Sequence, residues 1–127
     1  MVSASGHEFY AELPIAFDVS DFVRETVLPQ LGKNPEALCS REELTKRIRR
    51  FLEQFGAEPV HILCDDFVDY VLFAEALGGD VPANIVYVRI FERLDFSKVE
   101  AFFVENRLQR HHALNDAKAN KAGYTYP

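Results

Sequence analysis

Near the C-terminus, His111-His112-Ala113-Leu114-Asn115-Asp116-Ala117 places an imidazole five residues ahead of a carboxylate. An imidazole takes a proton from water near neutral pH, and a carboxylate is a ligand for hard cations. On a straight helix five residues turn the two side chains about 140° apart, so they would not share a face. The pair therefore works best with His111 in the loop before a helix and Asp116 inside it. A second acidic group, Asp65, Asp66 and Asp69, follows the apolar run Pro59–Cys64 at an expected strand-to-helix junction. The C-terminal end of a central strand is where α/β sheets place ligands. The plainer alternatives are a solvated terminal helix for the first pair and helix capping for the second.

The elements that must position these groups follow from local pattern. Ser5-Gly6 reads as a hairpin turn leading into a strand, His7 to Leu13. Phe9, Ala11 and Leu13 lie with His7 on one face, and Glu8, Tyr10 and Glu12 on the other. Asp18-Val19-Ser20-Asp21 offers caps for a helix using Phe22, Val23, Val27 and Leu31, which Pro29 should shorten and Gly32 should stop. Ser40 and Glu43 form a capping box ahead of the stripe Leu44, Ile48, Phe51, Leu52 and Phe55, ending at Gly56. Pro59–Cys64 reads as a buried strand, Phe67 to Leu77 as a helix stopped by Gly78-Gly79, and Ile85–Ile90 as a further strand. Helices over Phe96 to Asn106 and roughly His112 to Lys121 follow, and Ala122 to Pro127 reads as an irregular tail. Strands interleaved with helices predict an α/β layered fold in one domain spanning residues 1–127.

Composition narrows the function classes. The chain has 127 residues, 48% of them apolar, with eleven Phe, enough for one globular core. No apolar run reaches the roughly 20 residues of a membrane span, and no export signal is visible, so a cytoplasmic protein with no membrane partner is expected. A net charge of −6 argues against generic adhesion to nucleic acid but not against a cation-dependent nuclease. Cys39 and Cys64 read as free buried thiols. His61 and Cys64 form no complete zinc set. Lys46, Arg47, Arg49 and Arg50, interrupted by Glu42, Glu43 and Glu53, read as a solvated helix face. No residue is assigned to nucleic-acid binding by the sequence.

His111 to Ala117 after Asp65 to Asp69, in this order, resembles the DEDDh 3′–5′ exonucleases, which have a ribonuclease H-like fold. It looks closest to a small bacterial exoribonuclease-like branch related to ribonuclease T and oligoribonuclease. The segment Gly6 to Glu12 resembles that branch's strand after its first hairpin. The resemblance implies a three-layer fold with a mixed sheet, His111 as general base, and Asp69 and Asp116 as metal ligands. Asp65, where the family has Asn, is a possible secondary ligand. It also implies two Mg²⁺ or Mn²⁺ ions about 4 Å apart acting on the 3′ ends of single-stranded RNA or other nucleic acid. The family's opening Asp-x-Glu is absent, so the first strand and most of the second are expected to be missing. Two of four metal-binding carboxylates go with them. The chain by itself is therefore expected to have little or no activity. The alternative is a non-catalytic remnant that self-associates, as a homo-oligomer, or binds a partner through an exposed sheet edge.

Overall fold

The computed structural model describes residues 1–15 and 17–125. The chain resolves into two compact units. The first comprises residues 1–40 and 95–123, the second 41–94 with 124–127.

The second unit is a β-α-β arrangement with a preceding helix. Helix α1, Arg41–Glu53, begins directly after Ser40 and buries Ile48 and Leu52 from its expected stripe. Strand β1, Val60–Cys64, runs parallel to β2, Ile85–Arg89, in the register Val60 to Ile85 through Cys64 to Arg89. Helix α2, Phe67–Ala76, supplies the crossover that parallel pairing requires. The two strands form a two-stranded sheet. The apolar run expected to be a buried strand instead alternates, with His61 and Leu63 exposed and Cys64 buried. One parallel neighbour covers too little of β1 to bury both of its faces. Cys39 and Cys64 are free and buried, as expected.

The basic face of α1 is neutralised locally, as its interleaved acids imply. Lys46 pairs with Glu42 at 2.7 Å, Arg47 with Glu43 at 2.9 Å and Arg49 with Asp80 at 3.1 Å.

In the first unit, helices α3, Phe96–Asn106, and α4, Ala113–Gly123, pack on each other. Val99 and Phe103 of α3 close over Ala119 of α4, with Phe102 and Leu108 beside them. Asp95 caps α3, its carboxylate accepting from the Ser97 and Lys98 amides. The segment from residue 21 to 30 is helical but uneven. It winds wide over Val23–Val27 and tight over Leu28–Gln30, where Pro29 cannot continue the α-helical ladder.

The strand expected from His7 to Leu13 does not form. A turn at Ser3–Gly6, an antiparallel bridge between Val2 and Glu8 and a parallel bridge between Glu12 and Leu38 hold this segment instead. Its faces also differ from the alternating pattern, because Glu12 is 8% exposed. The Tyr10 hydroxyl donates to Glu12 Oε1 at 2.7 Å and the Gly32 amide to Oε2 at 2.8 Å, which makes burial of the carboxylate tolerable. The expected irregular tail begins later than predicted, since Ala122 and Gly123 complete α4. Tyr124 bridges to Leu94, and Tyr126 and Pro127 lie outside the described residues.

Candidate functional site

His111 and Asp116 are brought together in the first unit, in the loop-then-helix arrangement that their spacing demands. His111 precedes α4, and Asp116 occupies its first turn. The loop before it is shaped by two left-handed residues, Arg107 at φ 52° and His111 at φ 62°. Such a conformation costs a non-glycine residue on the order of 1 kcal/mol and persists only where neighbours enforce it. The enforcement is visible. The His111 backbone N–H donates to Asp116 Oδ1 at 3.2 Å, and the Gln30 amide donates to the Arg110 carbonyl at 2.8 Å. The Asn115 side chain donates to the Gln109 carbonyl at 3.1 Å. The imidazole of His111 is exposed and meets the edge of Phe22, with ring centres 5.1 Å apart. A titratable ring at the surface, beside a half-buried carboxylate, has the access that a proton-transfer group needs.

Asp65 and Asp69 are brought together in the second unit, after β1. Asp66 caps α2, its carboxylate accepting from the Val68 amide at 2.8 Å. Asp69, at the third helical position, accepts reciprocally from the Asp66 backbone, so the two form a capping box. Asp69 therefore has a structural task. Its carboxyl is held above the usual carboxylate range, first by burial of that end of the side chain, then by a hydrogen bond and like charge from Asp65. A hydrogen bond between two carboxyls favours the protonated form of one of them, and a divalent cation competes for the same oxygens. Burial and the charges of Asp69 and Asp65 also push the Cys64 thiol up to about 11.

Oxygen donors of this kind suit hard cations such as Mg²⁺ or Mn²⁺ in chemistry. Among the described residues, no three His, Cys, Asp or Glu side chains gather into a group able to hold a metal ion. His61 and Cys64 fall on opposite faces of β1, in keeping with the absence of a zinc site in their spacing.

A third cluster escapes sequence reasoning. Tyr10 stacks on His112 at 4.7 Å, beside the buried pair Glu12 and Gln30. His112 carries no motif role, and Glu12 reads as a solvent-facing residue in an alternating strand. Nothing local announces either position. Among the described residues no helix is long and apolar enough to cross a membrane. Comparisons with protein-family models, with curated proteins and with solved structures return no match.

Proposed function

We propose that this chain is a 3′–5′ exonuclease-like domain of ribonuclease H-like architecture, directed at the 3′ ends of single-stranded RNA. The observation that best supports the reading is the seating of His111 and Asp116, an exposed base held at a strained backbone position by the carboxylate five residues on. The preference for RNA rests on resemblance to the exoribonuclease branch.

In this reading Asp116 of the first unit and Asp69 of the second are metal ligands, with Asp65 as a secondary one. When bound, such ions polarise the scissile phosphate and support the attacking water and the leaving 3′ oxygen. His111 takes the proton of that water on a ring nitrogen, its backbone N–H remaining with Asp116. Burial and then Asp65 raise the proton affinity of Asp69, so protons and the cation compete for that carboxyl. No Asp-x-Glu occurs anywhere in the sequence. With half the carboxylates, two cations keep much of their mutual repulsion, so activity of this chain alone is low or nil.

The test uses a 5′-labelled short RNA with Mn²⁺, beside Asp116→Ala and His111→Ala, and follows Mn²⁺ broadening of the Asp69 and Asp116 resonances. Broadening at both carboxylates supports the reading, as does slow 3′ shortening lost in both variants. Intact RNA together with no broadening at Asp116 overturns it.

A second reading, self-association without catalysis, is favoured by one observation. Phe67, Val68 and Leu72 of α2 are each more than half exposed, next to a sheet of only two strands. It requires a sedimentation coefficient that rises with concentration and is unmoved by Asp116→Ala.

A further inference from the structure

Within the first unit, a cavity of about 470 Å³ opens between the N-terminal segment and the turn joining α3 to α4. Its volume is in the range that takes a small ligand. Its wall is polar and unevenly satisfied. Glu12 is the one carboxylate lining it, and both oxygens are engaged, by Tyr10 and by the Gly32 amide. Gln30, 7% exposed, spends its amide group on the Thr26 and Arg110 carbonyls. Asn34 and Asn115 are likewise committed, to the Glu36 amide and the Gln109 carbonyl.

Three groups in the wall are not committed. The side chains of Lys33 and Arg107 have no ion-pair or hydrogen-bond partner among the described residues. Nδ1 of His112 is buried without a hydrogen-bond partner among them. A buried polar atom left unsatisfied is rare enough to call for a missing partner. Arg107 is held at φ 52°, a conformation that non-glycine residues seldom adopt, at the turn that brings it to the cavity. Two cationic side chains without partners outnumber one carboxylate whose oxygens are already engaged, a balance that favours an anionic ligand over a cationic one. Beside them the stacked rings of Tyr10 and His112 present a flat surface suited to a planar group.

We propose that this cavity is a binding site for a small planar molecule bearing one compact oxyanion, held by Lys33, Arg107 and His112. The anion lies between the two cations, where charge-assisted hydrogen bonds replace water. The planar part rests against Tyr10. A phosphate monoester and a carboxylate share this chemistry, and the probes separate them.

The experiment is a titration of the full chain, without divalent metal, with phenyl phosphate, benzoate and inorganic phosphate. Amide and ring resonances are followed, against sodium chloride at matched ionic strength. Expected are saturable shifts at Lys33, Arg107 and His112 with phenyl phosphate or benzoate, the tighter probe naming the anion. Arg107→Asn keeps a residue that tolerates the left-handed region and removes the charge; Lys33→Gln alters an exposed position. Each is expected to weaken binding about tenfold or more, since a charge-assisted bond is lost. The absence of saturation up to about 10 mM of all three probes overturns the proposal, as does unchanged affinity in both variants. Because metal is left out, the outcome is independent of the nuclease reading.

Discussion

Replacing Gly123 by Ala tests how closely α4 is pressed against α3. A methyl group at this position would lie 2.4 Å from Val99 Cγ2 and 3.0 Å from the Asp95 carbonyl oxygen. Carbon atoms in contact prefer roughly 3.5–4.0 Å, so the overlap with Val99 exceeds about an ångström. Val99 cannot swing aside cheaply, because it is β-branched and 7% exposed. Asp95 cannot retreat either. Its carbonyl accepts from the Lys98 and Val99 amides, and its N–H donates to the Gly123 carbonyl at 2.9 Å. The helices must therefore separate, and overpacking of this kind costs about 1–3 kcal/mol. Against this stands the helical preference for Ala over Gly, up to about 1 kcal/mol in a helix interior and less in the last turn. The net expectation is a loss of about 1–2 kcal/mol. With a urea dependence near 2 kcal/mol per molar, the midpoint falls by roughly 0.5–1 M. Urea titration followed by far-ultraviolet circular dichroism measures it, and Val99→Ala supplies the control. In that background the cost of Gly123→Ala should fall by more than half, since the neighbour it strikes has gone. A midpoint unchanged or raised by Gly123→Ala alone would refute the reasoning, as would the same loss in both backgrounds.

Two further outcomes follow from buried polar groups. Glu12→Ala strands the Tyr10 hydroxyl and the Gly32 amide, and should lower stability by about 2–3 kcal/mol, with Glu12→Gln losing about half as much. A Glu12→Ala melting temperature equal to that of the parent would show the cluster to be dispensable. For Cys64, a folded-state pKa of about 11 leaves about 0.1% thiolate at pH 8, so iodoacetamide should label it roughly a hundredfold slower than in the unfolded chain. The associated stability is complete below the unfolded thiol's pKa near 9 and is lost as pH rises through about 11. Labelling of the folded chain that levels off by pH 9 would contradict this.

How far the sequence can be read differs from element to element. Helix α3 follows Phe96–Asn106 residue for residue, α2, β1 and β2 lie within a residue of the pattern that marks them, and α1 stops two residues before the end of its stripe at Phe55. Caps, stripes and stop signals are local, so they are written where they act. The spacing of His111 and Asp116 likewise specifies a loop residue followed by a helical one, and that is how they lie. The free, buried state of the two cysteines was also legible, from residue type and from the absence of an export signal.

What the tertiary structure alone decided concerns residues whose partners are distant along the chain. His7 to Leu13 alternates like a strand, yet the neighbour it finds is the bend near Leu38, which offers a single bridge and no ladder. Glu12 reads as surface because one of the two donors that make its burial tolerable, the Gly32 amide, lies twenty residues away. The left-handed turn at His111 depends on Gln30, which holds the Arg110 carbonyl from eighty residues upstream. Asp69 shows both sources at once. Its capping role is local, whereas its raised proton affinity depends on burial and on where the end of β1 leaves Asp65. Backbone propensity and hydrophobic period act over a few residues. The satisfaction of buried polar groups is settled only when the chain has closed, and that is where the sequence stops being sufficient.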